Sequence, residues 1–456
     1  MTLLEHELLG ASGLTLLFAS VVCGAELCAR KGWLRPEPAR KSIHLAGGLG
    51  CLLFPFVVYS WISVLCLSIL FATVFHLGEN RKKLKSLSSV KRESLGSLLF
   101  PFSIFLLYVL SDGRLWLYIA GLLVLVLADT AAALTGTRFG RILYKTAPDQ
   151  TKSLEGTLTF ALVGFISTAA TLWFLSDIPR ENVILTAFLM AILLAGLESV
   201  SIGGTDNLFV PAMASFLLLK IPDKPAAEIL FQCESLAGVA VIVAVVDIYY
   251  KTLRLRPLIV FGLIAYAAWT LGAADWMLAI LCLFIVYNRI CDQCAPLPSE
   301  LSARKLLRPF YPQLAILFLA NATMTLRFWF APFLVANAVA ASVAIAHRFA
   351  VEAEPRRLEG RKLAAAALLP ATAQLLLCIP FQREYVSQAA PAIVTLCALI
   401  SLAYARLVKF PLSPFVGNYA IPIVSSIAAL IYAGIQYMGW VSVMRPTMWQ
   451  EVFRCQ

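Results

Sequence analysis

From residue 9 to residue 440 the chain alternates long apolar runs with short polar connections. The runs are continuous rather than alternating, which fits membrane-spanning helices and not barrel strands. Segments near 9–29, 43–59, 61–78, 96–111, 114–135, 157–175, 182–198, 207–220 and 232–250 each predict a span. The second half adds 257–271, 274–290, 311–327, 330–347, 363–380, 388–407 and 417–440. The expected fold is all-α: a polytopic integral membrane protein with about sixteen transmembrane helices, several of them short or split by proline. The first run, "LLGASGLTLLFASVVCGAELCA", has no basic segment before it and many spans after it, so it predicts a helix rather than a cleaved leader.

Composition agrees with this pattern. Hydrophobic residues make up 60% of the chain and charged ones 14%, against about 25% charged in a soluble domain. Most of the eleven cysteines lie inside apolar runs, where they act as small core residues. Cys291 and Cys294 form a single CxxC, and no second pair supplies the four ligands of a zinc site. His6, His76 and His347 have no polar companions and are expected to be structural.

The net charge of +11 matters for where it falls. Basic residues cluster in Arg30–Lys41, Arg81–Arg92, Arg138–Lys152, Lys251–Arg256, Arg304–Arg308 and Arg348–Lys362. An even number of helices fits between successive clusters, so all can share one face, and the positive-inside rule makes that face cytoplasmic. Both termini then fall on the opposite side. Separate basic loops beside membrane spans do not form a nucleic-acid surface, and no nucleic-acid partner is expected.

The two halves differ in chemistry. Up to about residue 250 the cytoplasmic connections carry carboxylates, lysines and glycines; beyond "KTLRLRP" they are basic but plain. The predicted division is 1–255, catalytic, and 256–456, a second transmembrane domain without catalytic residues.

Four polar segments of the first half share the cytoplasmic face: "ARKSIH" (39–44), "VKRESLGS" (90–97), "ADTAAALTGTRFG…TKSLEGT" (128–157) and "LESVSIGGTDNLFVP" (197–211). Each sets ionisable groups at a helix end, where charge is costly unless paired or facing a wet cavity. In the third segment Asp129 is placed about one turn before the end of its helix. Gly136 and Gly140 let the chain turn sharply and bring backbone N–H groups to a ligand. Arg138, Arg141 and Lys152 supply positive charge, and "KSLEG", with Gly156, opens a helix whose N-terminus favours an anion. This pattern suits phosphate and metal, with Asp129 and Glu155 as carboxylate ligands for Mg²⁺ (or Mn²⁺). The same residues also suit a plain loop in which an arginine neutralises Asp129. Glu198, Asp206 and Asn207 surround a glycine-rich break and tip the balance towards a site. Arg40, Lys41 and His44 share one helix face through i, i+3 and i+4 spacing. Glu93, beside Arg92, is the weakest member and reads as a surface pair.

Together these residues resemble the phytol kinase and dolichol kinase family of CTP-dependent polyprenol kinases: "RKSIH", "RESLGSLLFP", "ADTAAALTGTRFG", "TKSLEGT" and "LESVSIGGTDNLFVP" occur in order over residues 30–220. The D…G…G…KxxEG portion is also similar to phosphatidate cytidylyltransferases, which lack the first and last motifs. The resemblance implies a membrane kinase moving the γ-phosphoryl of CTP, or another nucleoside triphosphate, to the hydroxyl of a long-chain isoprenoid alcohol. On that pattern Asp129, Lys152, Glu155 and Gly156 match the nucleotide and metal motif. Glu198, Asp206 and Asn207 match the acidic motif, and Arg40, Lys41 and His44 the first. Asp206, Glu198 or His44 would take the alcohol proton, and the lipid would enter from the bilayer with its tail between helices. The second half is faintly similar to the phytyl-phosphate kinase group, but it has "NAVAASVAIAHRFAVEAEPR" where that group carries an aspartate-rich motif. Two other readings stand beside this one. A cytidylyltransferase would release pyrophosphate rather than CDP, and a transporter of an anionic substrate would carry its polar residues at helix centres.

Overall fold

The computed structural model describes residues 3–33, 36–80, 95–147, 150–250, 255–294, 308–352, 364–365, 368–376, 390–400, 403 and 414–440. Among them eight helices are long and apolar enough to cross a membrane, and four shorter apolar helices accompany them. The protein is thus a helical membrane protein, but the expected sixteen spans are not reached among the described residues. The reasons are local. The span expected over 43–59 is broken: helix α2 (Pro36–Gly50) gives way to a 3₁₀ turn and to the four-residue α3 (Phe54–Val57) with Pro55 in its first turn. A proline lacks the N–H that would continue the ladder. The segment expected over 207–220 forms a helix of only 15 residues, about 22 Å long against a hydrocarbon core of about 30 Å. The spans expected over 363–380 and 388–407 lie only partly within the described residues, as does the "VKRESLGS" segment, whose Arg92 and Glu93 fall outside them.

The chain forms two compact units, Met1–Glu234 and Ser235–Gln456, divided within the helix Ala226–Tyr250. In the first unit α1 (Leu3–Arg30) packs on α2, and α4 (Trp61–Asn80) on α5 (Gly96–Ser111). Helix α6 (Leu115–Leu123) continues through a π-helical turn, Val124–Ala128, into α7 (Asp129–Phe139). A short antiparallel hairpin follows, β1 (Leu143–Ala147) and β2 (Gln150–Ser153), the one departure from an all-helical unit among the described residues. Then come α8 (Leu154–Leu175), α9 (Arg180–Val200) and α10 (Asp206–Lys220). The core of this unit gathers Phe18, Phe54, Leu67, Ile104, Tyr118, Leu125 and Val126. Two tyrosines tie it to the broken second helix: Tyr118 donates to the Cys51 carbonyl at 2.8 Å and Tyr108 to the Val58 carbonyl at 2.9 Å.

Glycines set two close helix contacts that matter for the site. A Cβ on Gly48 would lie 2.3 Å from Val126, so α2 rests directly on the π turn. A Cβ on Gly156 would lie 2.9 Å from the Ala132 carbonyl, and one on Gly140 2.8 Å from the Ser153 Cβ. The sequence expectation of a sharp glycine turn over Gly136–Gly140 is therefore corrected. That segment remains helical to Phe139, well past Asp129, and its small residues let α7 and α8 approach rather than exposing N–H groups to a ligand.

In the second unit the helices Leu255–Leu271, Ala274–Cys294, Tyr311–Ala322 and Pro414–Tyr437 accompany Leu326–Glu352, which is buried throughout 330–346. Trp276 packs on Phe330 and Phe333, with ring centroids 5.4 and 4.5 Å away.

Candidate active site

Asp129 begins α7 immediately after the π turn. Such a turn inserts one residue into the helix and commonly marks a functional position. Here the Asp129 amide bonds the Val126 carbonyl, while the Leu125 carbonyl lies 3.3 Å from His44 Nε2. Lys41, His44 and Gly48 share a face of α2. With Gly48 seated on Val126, that face presents Lys41 and His44 to the carboxylate. Lys41 Nζ donates to Asp129 Oδ2 at 2.6 Å, and His44 Nε2 is 3.4 Å from the same oxygen. His44 Nε2 thus faces two acceptors, so it carries the proton and donates. The ring packs on Phe100, centroids 4.5 Å apart.

A second lysine is delivered by the hairpin. Lys152 pairs with Tyr144 across the two strands, and the strand ends at Ser153, whose Oγ accepts the Gly156 N–H at 3.1 Å and caps α8. Lys152 Nζ donates to Glu198 Oε1 at 2.5 Å and to the Glu198 backbone carbonyl, and it lies 3.5 Å from Asp206 Oδ2. Helix α9 ends two residues after Glu198, where a cation suits the free carbonyls. Asp206 opens α10, where an anion suits the free N–H groups. Burial alone would lower the Lys152 pKa, but Glu198 and Asp206 outweigh it and hold the pKa well above the ordinary lysine range.

The connection between these helices is pinned in turn. Gly203 and Gly204 adopt φ of +62° and +81°, a left-handed backbone that side chains disfavour. The Gly203 carbonyl accepts the Leu95 N–H at 2.8 Å, and the Asn207 side-chain amide donates to the Gly96 carbonyl at 2.8 Å. The "SIGGTDN" segment is thereby fastened to the start of α5.

One oxygen from each of Asp129, Glu198 and Asp206 lies within 4.8 Å of the others. Three helices thus bring three carboxylates to one point, with Lys41 and Lys152 beside them. Oxygen ligands at this spacing suit a hard divalent cation, which also takes phosphate oxygens. Glu155 does not join this group, which corrects the expected pairing with Asp129: it accepts the Arg141 N–H at 3.0 Å and the Ile142 N–H at 3.2 Å, closing the hairpin onto α8. The physical reason is its position in the first turn of α8, beside the Arg141 and Ile142 amides, which precede the strand ladder. Arg138 is exposed, its guanidinium 5.2 Å from the Phe139 ring centroid. Arg141 is likewise exposed. Gly136, Gly140 and Gly156 shape the α7–α8 contact, as described above. Sequence reasoning missed Tyr144, a buried hairpin residue whose hydroxyl lies 2.6 Å from Thr157 Oγ1. Its pairing with Lys152 across two strands was concealed by the all-helical expectation.

Beside the cluster an open cleft runs between α1, α2, α4 and α5. Phe18, Phe54, Phe71, Phe75 and Ile104 form its walls, and Arg40, His44 and Asn207 lie at its polar end.

A phytol kinase from Synechocystis sp. is 35% identical to this chain over 195 residues, which make up 42% of this chain and 82% of that protein. No protein-family model matches the chain, and no solved structure matches it. At that identity and coverage, with the motif residues converging on one cluster, the chain belongs to the phytol kinase and dolichol kinase family.

Proposed function

We propose that the protein phosphorylates the hydroxyl of an isoprenoid lipid alcohol, such as phytol or a polyprenol, using CTP as donor, at a site on the cytoplasmic face. The observation that carries this reading is the meeting of Asp129, Glu198 and Asp206 with Lys41 and Lys152. Phosphoryl transfer asks mainly for positioning and for neutralisation of charge on the moving group. Three carboxylates against two ammonium groups leave one negative charge, which a divalent cation reverses. Asp129, Glu198 and Asp206 would hold Mg²⁺ (or Mn²⁺), which when bound offsets charge on the phosphate oxygens.

In this reading Lys152 crosses from Glu198 and Asp206 to the phosphates, and Lys41 fixes Asp129. The alcohol oxygen attacks the γ-phosphorus, the bond from that phosphorus to the β–γ bridging oxygen breaks, and CDP leaves with that oxygen. Asp206 or Glu198 takes the hydroxyl proton, because His44 Nε2 and Lys41 already donate to Asp129 and so hold that carboxylate as an oriented anion rather than leave it to accept. Arg40 and Asn207, at the polar end of the cleft, flank the incoming hydroxyl.

The test is a matrix of nucleoside triphosphates against alcohols on purified protein. CDP and a lipid monophosphate should form together, EDTA should stop the reaction and Mg²⁺ restore it. Release of pyrophosphate with a CDP-lipid, or turnover that is unchanged in Asp129→Asn, would overturn the proposal.

A further inference from the structure

Gly47 faces the apolar cleft, one helical turn beyond His44 on the same face of α2. A Cβ added there meets nothing within 4 Å. Its neighbours differ: at Gly48 the added atom lies 2.3 Å from Val126, and at Gly50 3.0 Å from the Phe18 ring. Packing therefore requires Gly48 and Gly50 but not Gly47. A glycine within a helix weakens it relative to alanine, and at position 47 no helix contact offsets that loss. What its missing side chain leaves is space in the cleft.

We propose that Gly47 sets the width of a channel for the hydrocarbon tail of the acceptor alcohol, and so determines which chains the enzyme takes. The proposal rests on the kinase reading above. The cleft suits a molecule with one polar terminus and a long apolar body. Arg40, His44 and Asn207 lie together near Asp129, Ser68 further along spends its hydroxyl on the Pro101 carbonyl, and the remaining walls are largely phenylalanine. A nucleotide placed along it would leave the polar atoms of its base unpaired against Phe71 and Phe75, which is costly. From His44 to Phe54 the chain advances about 15 Å at helical rise, enough to house the reacting half of a long isoprenoid. A side chain at position 47 narrows the channel just behind the hydroxyl. Long chains must pass it; a very short alcohol need not.

The experiment uses purified full-length protein with CTP and two acceptors, a twenty-carbon and a five-carbon isoprenoid alcohol, and compares wild type with Gly47→Leu and Gly13→Leu. Gly13, in α1, is equally open to an added Cβ and does not line the cleft. In Gly47→Leu, kcat/KM for the long alcohol should fall by about tenfold or more, while the KM for CTP and the slow turnover of the short alcohol stay as in wild type. Gly13→Leu should match wild type throughout. An unchanged kcat/KM for the long alcohol in Gly47→Leu overturns the proposal, as does an equal loss with both alcohols. If wild type phosphorylates no alcohol, the kinase reading itself fails. The channel is then judged on photocrosslinking of a diazirine-tagged twenty-carbon alcohol: labelling of α4 at Phe71 or Phe75 that Gly47→Leu abolishes supports it, and no such labelling overturns it.

Discussion

Both units bury polar side chains, but of different kinds. In the first, Asp129, Glu198, Asp206, Lys41 and Lys152 meet across segments far apart in sequence. In the second, the buried polar groups described are amides and hydroxyls: Gln313 Nε2 lies 3.4 Å from Asn337 Oδ1, and Asn337 donates to the Ala279 carbonyl at 2.5 Å. Its one buried carboxylate among the described residues, Asp275, accepts the N–H of Trp276 at the start of its helix. Neutral amides between membrane helices act as packing contacts worth about 0.6–2 kcal/mol, whereas ionisable groups clustered within a membrane bundle point to a functional site by default. We propose from this contrast that the chemistry belongs to the first unit, since among the described residues the second brings no such cluster together.

The largest test removes charge from one side of this comparison and polarity from the other. Asp129→Asn and Lys152→Ala should each lower phosphorylation by about 10²–10³-fold or more, while Asn337→Leu should leave turnover near wild type. Labelled CTP and membranes normalised for expressed protein suffice for the measurement. Equal losses in Asn337→Leu would break the contrast. Stability offers a second cut. Lys152→Met leaves Glu198 and Asp206 facing each other, at a cost of about 3 kcal/mol, the low end for a buried pair since the lysine is partly exposed. Adding Glu198→Gln should recover much of that stability and none of the activity, a coupling that a double-mutant cycle reads directly.

Smaller effects separate members of the cluster from residues that only shape it. Glu198→Gln should lower activity by about 10²-fold, but Glu155→Gln should keep most of it, because its carboxylate serves the Arg141 and Ile142 amides. If Glu155→Gln were as inactive as Glu198→Gln, Glu155 would belong with the ligands after all. Gly156→Ala pushes a methyl to 2.9 Å from the Ala132 carbonyl and should cost about 1–3 kcal/mol as overpacking, seen as a lower unfolding temperature.

Much of this site is legible in the sequence, for a physical reason: ionisable residues are rare in apolar chains, so each stands out. Lys41, His44, Asp129, Lys152, Glu198 and Asp206 all carry that signal. Their pairing is not legible there. Sequence proximity puts Asp129 with Glu155, whereas contact puts it with Lys41, 88 residues away, and that distance is closed by Gly48 on Val126, a packing detail no spacing encodes. The glycines mislead for a related reason: Gly136 and Gly140 look like a phosphate turn, but small residues serve close helix packing equally well. Among the described residues fewer spans are reached than hydropathy suggests, because hydropathy does not register where a run such as 43–59 breaks at a 3₁₀ turn.

The smallest effect concerns pH, and it too depends on the ion cluster. Burial opposes the charge on Lys152, yet Glu198 and Asp206 raise its pKa well above the ordinary lysine value. A lysine raised in the folded protein contributes stability that is whole below its unfolded pKa of about 10.4. That contribution is lost only as pH climbs through the folded value. Between about pH 6 and 9 Lys152 itself therefore adds no slope, and the gap in unfolding temperature between wild type and Lys152→Met should not shrink toward pH 9; it narrows only toward acid pH, where one of the facing carboxylates of the variant takes a proton. A difference that shrinks toward pH 9 would mean that the lysine sheds its proton near neutrality, as an ammonium buried without adequate partners does. The carboxylates would then not be holding it, and the first unit's cluster would be no more than another polar layer of the kind the second unit contains.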